Sequence, residues 1–123
     1  MNVRGIRGAI QAGANSEASI FDATQELLRK LLEHNSLDRT TIASVFLTAT
    51  ADLDAAFPAY AVREMGGWDL VPLLCAQELD VPGAMPRVIR ILLHVNTDLP
   101  QTAIRHVYLG ETARLRPDLT GNA

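Results

Sequence analysis

The strand-like run "RVIRILLHV" (87–95) carries a charged residue, Arg90, among Val88, Ile89, Ile91, Leu92, Leu93 and Val95. A guanidinium does not lose its proton, so an unpaired one in apolar surroundings is very costly. Arg90 must therefore meet an anion. Glu78 in "CAQELD", Arg7 in "RGIRGA", Arg63 in "AVRE" and Arg116 in "LRPDL" add further charge near the ends of predicted elements. Each has an ordinary reading by itself. Arg90 can pair with an internal Asp or Glu, or sit on an edge strand. Glu78 can be a solvated loop carboxylate, Cys75 a small buried filler, and Tyr108 a half-buried aromatic with its hydroxyl in water. Phe57 can be a helix-entry staple. Arg7 can lie at a sheet edge, Arg63 on a solvated helix face, and Arg116 beside Asp118. As a set, several arginines and one glutamate describe a single polar site. The planar guanidinium fork is the group suited to grip a carboxylate or phosphate at two points.

Missing motifs narrow the chemistry. "GIRGAI" lacks the pattern of a glycine-rich phosphate loop. His34, His94 and His106 show no zinc spacing and no cysteine pair stands near them. No serine-nucleophile motif is present. Neither a metal nor a nucleotide cofactor is expected. The net charge of -3 does not suggest a nucleic-acid partner. No run of about 18 apolar residues suggests a membrane span, and the N-terminus lacks the apolar block of a signal peptide. Cys75 is the single cysteine, which excludes an intrachain disulfide and suits the cytoplasm. Ten arginines stand against one lysine, Lys30. GC-rich codon usage accounts for part of that bias but not for arginines inside apolar strands.

The elements that must position these residues follow from periodicity. The chain has 123 residues, 48% hydrophobic and 20% charged, which fits one domain with one core. We expect a single domain over 1–119 and a flexible tail at 120–123. "NVRGIRGAI" reads as a first strand, with Val3, Gly5, Arg7 and Ala9 on one face and Arg4, Ile6, Gly8 and Ile10 on the other. Small neighbours leave room beside Arg7. Ser16 is the expected N-cap of a long helix in which Ile20, Ala23, Thr24, Leu27, Leu28, Leu31 and Leu32 form one apolar stripe. Asn35 can end it. "IASVFLTAT" is a central strand. "FPAYAVREMGG" is a short helix begun by Pro58 and stopped by Gly66-Gly67. "WDLVPLLC" reads as a third strand that Pro72 forces to an edge or interrupts. "AQELDVPGAMP" is a loop, "RVIRILLHVN" a fourth strand and "RHVYL" a short fifth. The order predicts an α+β fold with a mixed sheet and one main helix on one face. A partner subunit is the expected cover for the other face.

These segments together resemble the monofunctional trimeric chorismate mutases of the Bacillus type. The matching strings are "RGIRGA" (4–9), "TATADLDAAFPA" (48–59), "AVRE" (61–64), "GWDLVP" (67–72), "CAQELDV" (75–81), "RVIRILLHVNTDLPQ" (87–101), "IRHVYL" (104–109) and "LRPDL" (115–119). They cover most of the chain in order, and their conjunction is far more specific than any one of them. "CxQExDV" and "LRPDL" also separate the chain from the trimeric imine and enamine deaminases, another family with clefts between subunits.

The resemblance implies a mixed five-stranded sheet with one long helix and short helices on one side. It also implies a trimer with a barrel-like core, and active sites between neighbours. It implies conversion of chorismate to prephenate, a step toward phenylalanine and tyrosine, with no cofactor, metal, nucleic acid or membrane involved. By resemblance Arg90 faces the breaking ether oxygen. Glu78 and Cys75 approach the substrate ring hydroxyl, and Arg7 and Tyr108 bind the side-chain carboxylate. Phe57 and Leu115 form apolar walls, with Ala59, Leu73 and Leu74 also lining the substrate. Arg63 and Arg116 attract or cover the ring carboxylate. Phe57, Arg63 and Cys75 would come from one subunit, and Arg7, Glu78, Arg90 and Tyr108 from its neighbour. Tyr60 stands where that pattern has a basic residue, and Leu74 where it has a small polar one. The competing reading is a non-catalytic trimeric module that binds a carboxylate metabolite through the same arginines.

Overall fold

The structure is a computed structural model that describes residues 1–120. The strands are β1 (Asn2–Gln11), β2 (Ile42–Ala49), β3 (Leu73–Gln77), β4 (Val88–Thr97) and β5 (Val107–Tyr108), and the helices are α1 (Glu17–His34), α2 (Pro58–Glu64) and α3 (Pro117–Thr120). The expected tail lies, from residue 121 on, outside the described residues. The strands form one mixed sheet in the order β3-β2-β4-β1-β5. β4 runs antiparallel to both β1 and β2, whereas β2 pairs with β3, and β1 with β5, in parallel. β1-α1-β2 is therefore a split crossover into which β4 inserts, and β2-α2-β3 is a direct one.

Helix α1 forms where expected. Ser16 adopts an extended backbone and its Oγ accepts the Ser19 N–H at 3.2 Å. Ile20, Ala23, Thr24, Leu27, Leu28 and Leu31 are its buried stripe. They pack with Ile6, Ile10, Val45, Leu47, Ile89, Ile91, Leu93 and Val95 from the near face of the sheet. Ala59 and Val62 of α2 join the same core, so both longer helices cover one face. At the far end of α1, the Asn35 amide donates to the Leu31 and Arg105 carbonyls (2.9 and 2.8 Å), and its Oδ1 accepts the Arg105 N–H at 2.8 Å. The residue that stops the helix thus also ties down the approach to β5.

The third strand departs from expectation. It starts at Leu73 rather than at Trp68, and it runs on to Gln77. Residues 68–71 instead make a turn in which the Val71 N–H bonds to the Trp68 carbonyl at 3.1 Å, and the Trp68 side chain is buried in the core. Pro72 has no N–H to give a ladder; its carbonyl accepts from Val45 at 3.0 Å and pairing begins there. β3 starts after Pro72 and is an edge strand, so both outcomes that Pro72 allows are present.

Among the described residues, the far face is covered only at its β5 side. There Ala9, Val88 and Tyr108 cluster with Met85, Ala113 and Leu115, and the buried Thr112 hydroxyl donates to the Ala9 carbonyl at 2.9 Å. Over the middle of the sheet Phe46, Leu74 and Leu92 remain exposed.

Candidate active site

Register decides which side chains meet. Thr48 of β2 is opposite Arg90 of β4 and Ala76 of β3, and Arg90 is opposite Ala9 of β1. Alternation puts Arg90, Thr48, Ala76 and Arg7 on the far face, and extends that face one residue past β3 to Glu78. The Glu78 backbone N–H still bonds to the Ala49 carbonyl at 3.0 Å, which continues the pairing. A glutamate expected in a loop therefore arrives beside the arginine twelve positions later.

The Arg90 guanidinium donates through Nε to Glu78 Oε1 and Oε2 at 3.0 and 3.1 Å. Glu78 Oε2 also accepts the Thr48 hydroxyl at 2.9 Å. The Arg90 side chain is 34% exposed and that of Glu78 only 16%. Beside them, Arg7 Nε donates to the Tyr108 hydroxyl at 2.8 Å, and Tyr108 is buried. Both arginines use Nε on an internal partner. Among the described residues their terminal nitrogens bond to nothing. Arg7, Phe46, Thr48, Arg90, Leu92 and Tyr108 line one hollow of about 270 Å³. Two unspent guanidinium forks in one hollow make a receptor for a molecule with two anionic or electron-rich groups.

The remaining predicted residues divide between a second hollow and separate positions. Cys75 is opposite Leu47 on the helix-covered face, and with Phe57, Tyr60, Thr50, Glu17 and Gln77 it lines a second hollow of about 510 Å³. Burial pushes the Cys75 thiol up, against smaller opposing effects of the Ala59 backbone and the Arg63 charge, so it is a neutral thiol at neutral pH. Phe57 caps the start of α2 without a side-chain bond and is exposed, not stapled to the core. Its ring lies 5.2 Å from that of Tyr60, and the Arg63 guanidinium sits 5.1 Å above the Tyr60 ring, a cation–π contact. Ala59 is buried in the core and Leu73 packs toward it, whereas Leu74 is exposed on the far face. Leu115 is half-buried against the Tyr108 cluster. Arg116 pairs with Asp118 through Nη2 and Nε at 2.7 and 3.0 Å. Among the described residues no group of three or more His, Cys, Asp or Glu side chains is placed to hold a metal.

Two participants carry no sequence signal of their own. His106 Nδ1 accepts the Arg7 backbone N–H at 3.1 Å. Burial, and then the charges of Arg7 and Arg116, hold its pKa below the ordinary value, which keeps the ring neutral and able to accept. Thr48 is one of many hydroxyls, and only register brings it to Glu78. An alternation count carried past Gln77 would have placed Glu78 itself.

Residues 3–119 match the family described as chorismate mutase type I. The chain is similar to the chorismate mutase AroH of Bacillus subtilis (strain 168), 47% identical over 120 residues, 98% of this chain and 94% of that protein. It is 53% identical over 118 residues to the chorismate mutase AroH of Thermus thermophilus, covering 95% of this chain and 96% of that one. Among solved structures it is similar to a chorismate mutase from Clostridium thermocellum, with a TM-score of 0.87 and 44% identity over 90% of this chain and 98% of that one.

Proposed function

The chain belongs to the chorismate mutase type I family, and from that membership we propose how its own residues carry the isomerisation of chorismate to prephenate. The reaction is a unimolecular rearrangement in which a C–O ether bond breaks as a C–C bond forms. No nucleophile or obligatory proton transfer is required. The protein must hold a flexible dianion in a compact chair-like shape and stabilise charge that separates in the transition state.

The observation that carries this reading is the Arg90–Glu78 pair beside Arg7. Arg90 places its free fork against the ether oxygen, where negative charge accumulates. Glu78 accepts from the ring hydroxyl and balances the cationic ring fragment. The Arg7 fork takes the side-chain carboxylate, and the Tyr108 hydroxyl, which accepts from Arg7, keeps its own proton to donate to the same group. In the absence of substrate Glu78 neutralises Arg90, which resolves the cost of a cation in an apolar strand. Fixed donors serve the transition state better than water, because their orientation is set beforehand.

Phe57 and Cys75 line the other hollow, on the other face of the sheet, and Arg63 lies over the ring of Tyr60 that lines it too. One molecule of substrate reaches both sets only if a second copy brings its Phe57 hollow against the far face of the first. The resemblance to the trimeric Bacillus-type enzymes makes the active unit a homotrimer with three sites between neighbours, its sheets facing inward through Phe46, Leu74 and Leu92, acting in the cytoplasm. There Phe57 and Leu115 wall the ring, Cys75 approaches the ring hydroxyl as a neutral thiol, and Arg63 and Arg116 cover the ring carboxylate.

The test follows chorismate through loss of its ultraviolet absorbance, with acid conversion of prephenate to phenylpyruvate as confirmation. Arg90→Lys keeps the charge and removes the fork, so kcat should fall by about tenfold or more. An unchanged kcat in folded Arg90→Lys protein would remove Arg90 from this role. Binding of chorismate without turnover would favour the carboxylate-binding module instead.

A further inference from the structure

Glu78 stands one residue beyond β3. Its main chain is tied to Ala49, but its side chain has several rotatable bonds and only two partners, Arg90 and Thr48. Those partners differ in kind. Arg90 is a long side chain whose guanidinium must turn part of its attention to the bound substrate. Thr48 is β-branched, with restricted χ1 rotation, and it lies within β2, paired on both sides. It is the partner of Glu78 that is fixed by its own strand and is not shared with the substrate.

We propose that Thr48 is a positioning residue for the isomerisation, its hydroxyl holding the Glu78 carboxylate aimed at the substrate hydroxyl while the outer fork of Arg90 serves the ether oxygen. This rests on the role given to Glu78 above. A donated hydrogen bond to a carboxylate is charge-assisted and directional. It fixes Oε2, and Oε1, which accepts from Arg90 Nε, keeps a second lone pair for the ligand. Loss of that bond leaves the Glu78 carboxylate held by one long side chain alone, so the effect falls on the transition state more than on capture of the dianion.

Steady-state kinetics of four variants test this. Thr48→Val keeps shape and strand propensity; it should lower kcat about tenfold and change KM by less than about threefold. Thr48→Ser restores the hydroxyl and should stay within about threefold of the parent kcat. In a Glu78→Ala background the further change Thr48→Val should cost less than about twofold, because the two act through one contact. Three outcomes would overturn the proposal. Thr48→Val could keep the parent kcat while Glu78→Ala is impaired. Thr48→Val could cost as much with Glu78 absent as with it present. Alternatively, Glu78→Ala could be unimpaired, in which case the assignment of Glu78 falls and that of Thr48 falls with it.

Discussion

Arg90 and Arg7 share one device: Nε is tied to an internal partner and the outer fork is left for a ligand. The tie limits the torsions of a long side chain, so less freedom is lost when the ligand is gripped. His106 extends the restraint on Arg7 to its main chain, and that contact is sensitive to pH. The ring is held neutral in the folded protein, with its pKa below the ordinary 6.5. As pH falls the unfolded chain takes up this proton first. The stability tied to neutral His106 is therefore fully present above about pH 6.5 and is lost as pH falls through the folded-state value. Unfolding midpoints measured from about pH 8 to about pH 5 should decline on the acid side. His106→Asn should show a shallower decline. An identical pH profile in His106→Asn would show that other groups set the acid sensitivity.

Among the elements, β1 and β5 are held at a spacing that glycine alone permits. A Cβ on Gly8 would collide with the Val107 carbonyl oxygen and crowd the Leu27 and Leu31 methyls. β5 is two residues long, and its second residue is Tyr108, so the position of a site residue hangs on that approach. Gly8→Ala should cost about 1–3 kcal/mol of stability through overpacking, read as a lower unfolding midpoint. It should also raise KM, because β5 must shift and carry the Tyr108 hydroxyl away from Arg7. A raised KM without any loss of stability would mean that β5 moves freely and that the close contact holds nothing. Asn35 anchors the same strand from the other side through Arg105, so one end of α1 and one glycine together place Tyr108.

At the scale of the whole molecule, the two hollows lie on opposite faces of one sheet. Cys75 and Glu78 are three residues apart, so alternation sends them to opposite sides. Subunit mixing tests whether they serve one site. An Arg90→Ala chain and a Phe57→Ala/Arg63→Ala chain, each nearly inactive alone, should regain up to about a quarter of parent activity when unfolded and refolded together. That is the fraction of interfaces at which an intact arginine face meets an intact Phe57 hollow. If each chain held a whole site, mixing would restore nothing.

Much of this was legible in sequence. The α1 stripe, the Pro58 and Gly66-Gly67 limits of α2, the edge position forced by Pro72 and the face shared by Arg90, Val88, Leu92 and His94 all follow from local rules. Each depends on residues within one turn or one pleat. The motifs along the chain carried the family. The start of β3 is not legible locally, because an apolar run does not reveal that Trp68 stays outside the strand and enters the core. Local periodicity could show that Arg90 needed an anion but not which one. Glu78, Thr48 and the neutral His106 reach their partners through the order β3-β2-β4-β1-β5 and its register, and register is a contact between distant segments. Side-chain alternation has a period of two, so a slip of one residue in β3 would have turned Glu78 away from Arg90; the packed sheet excludes that slip.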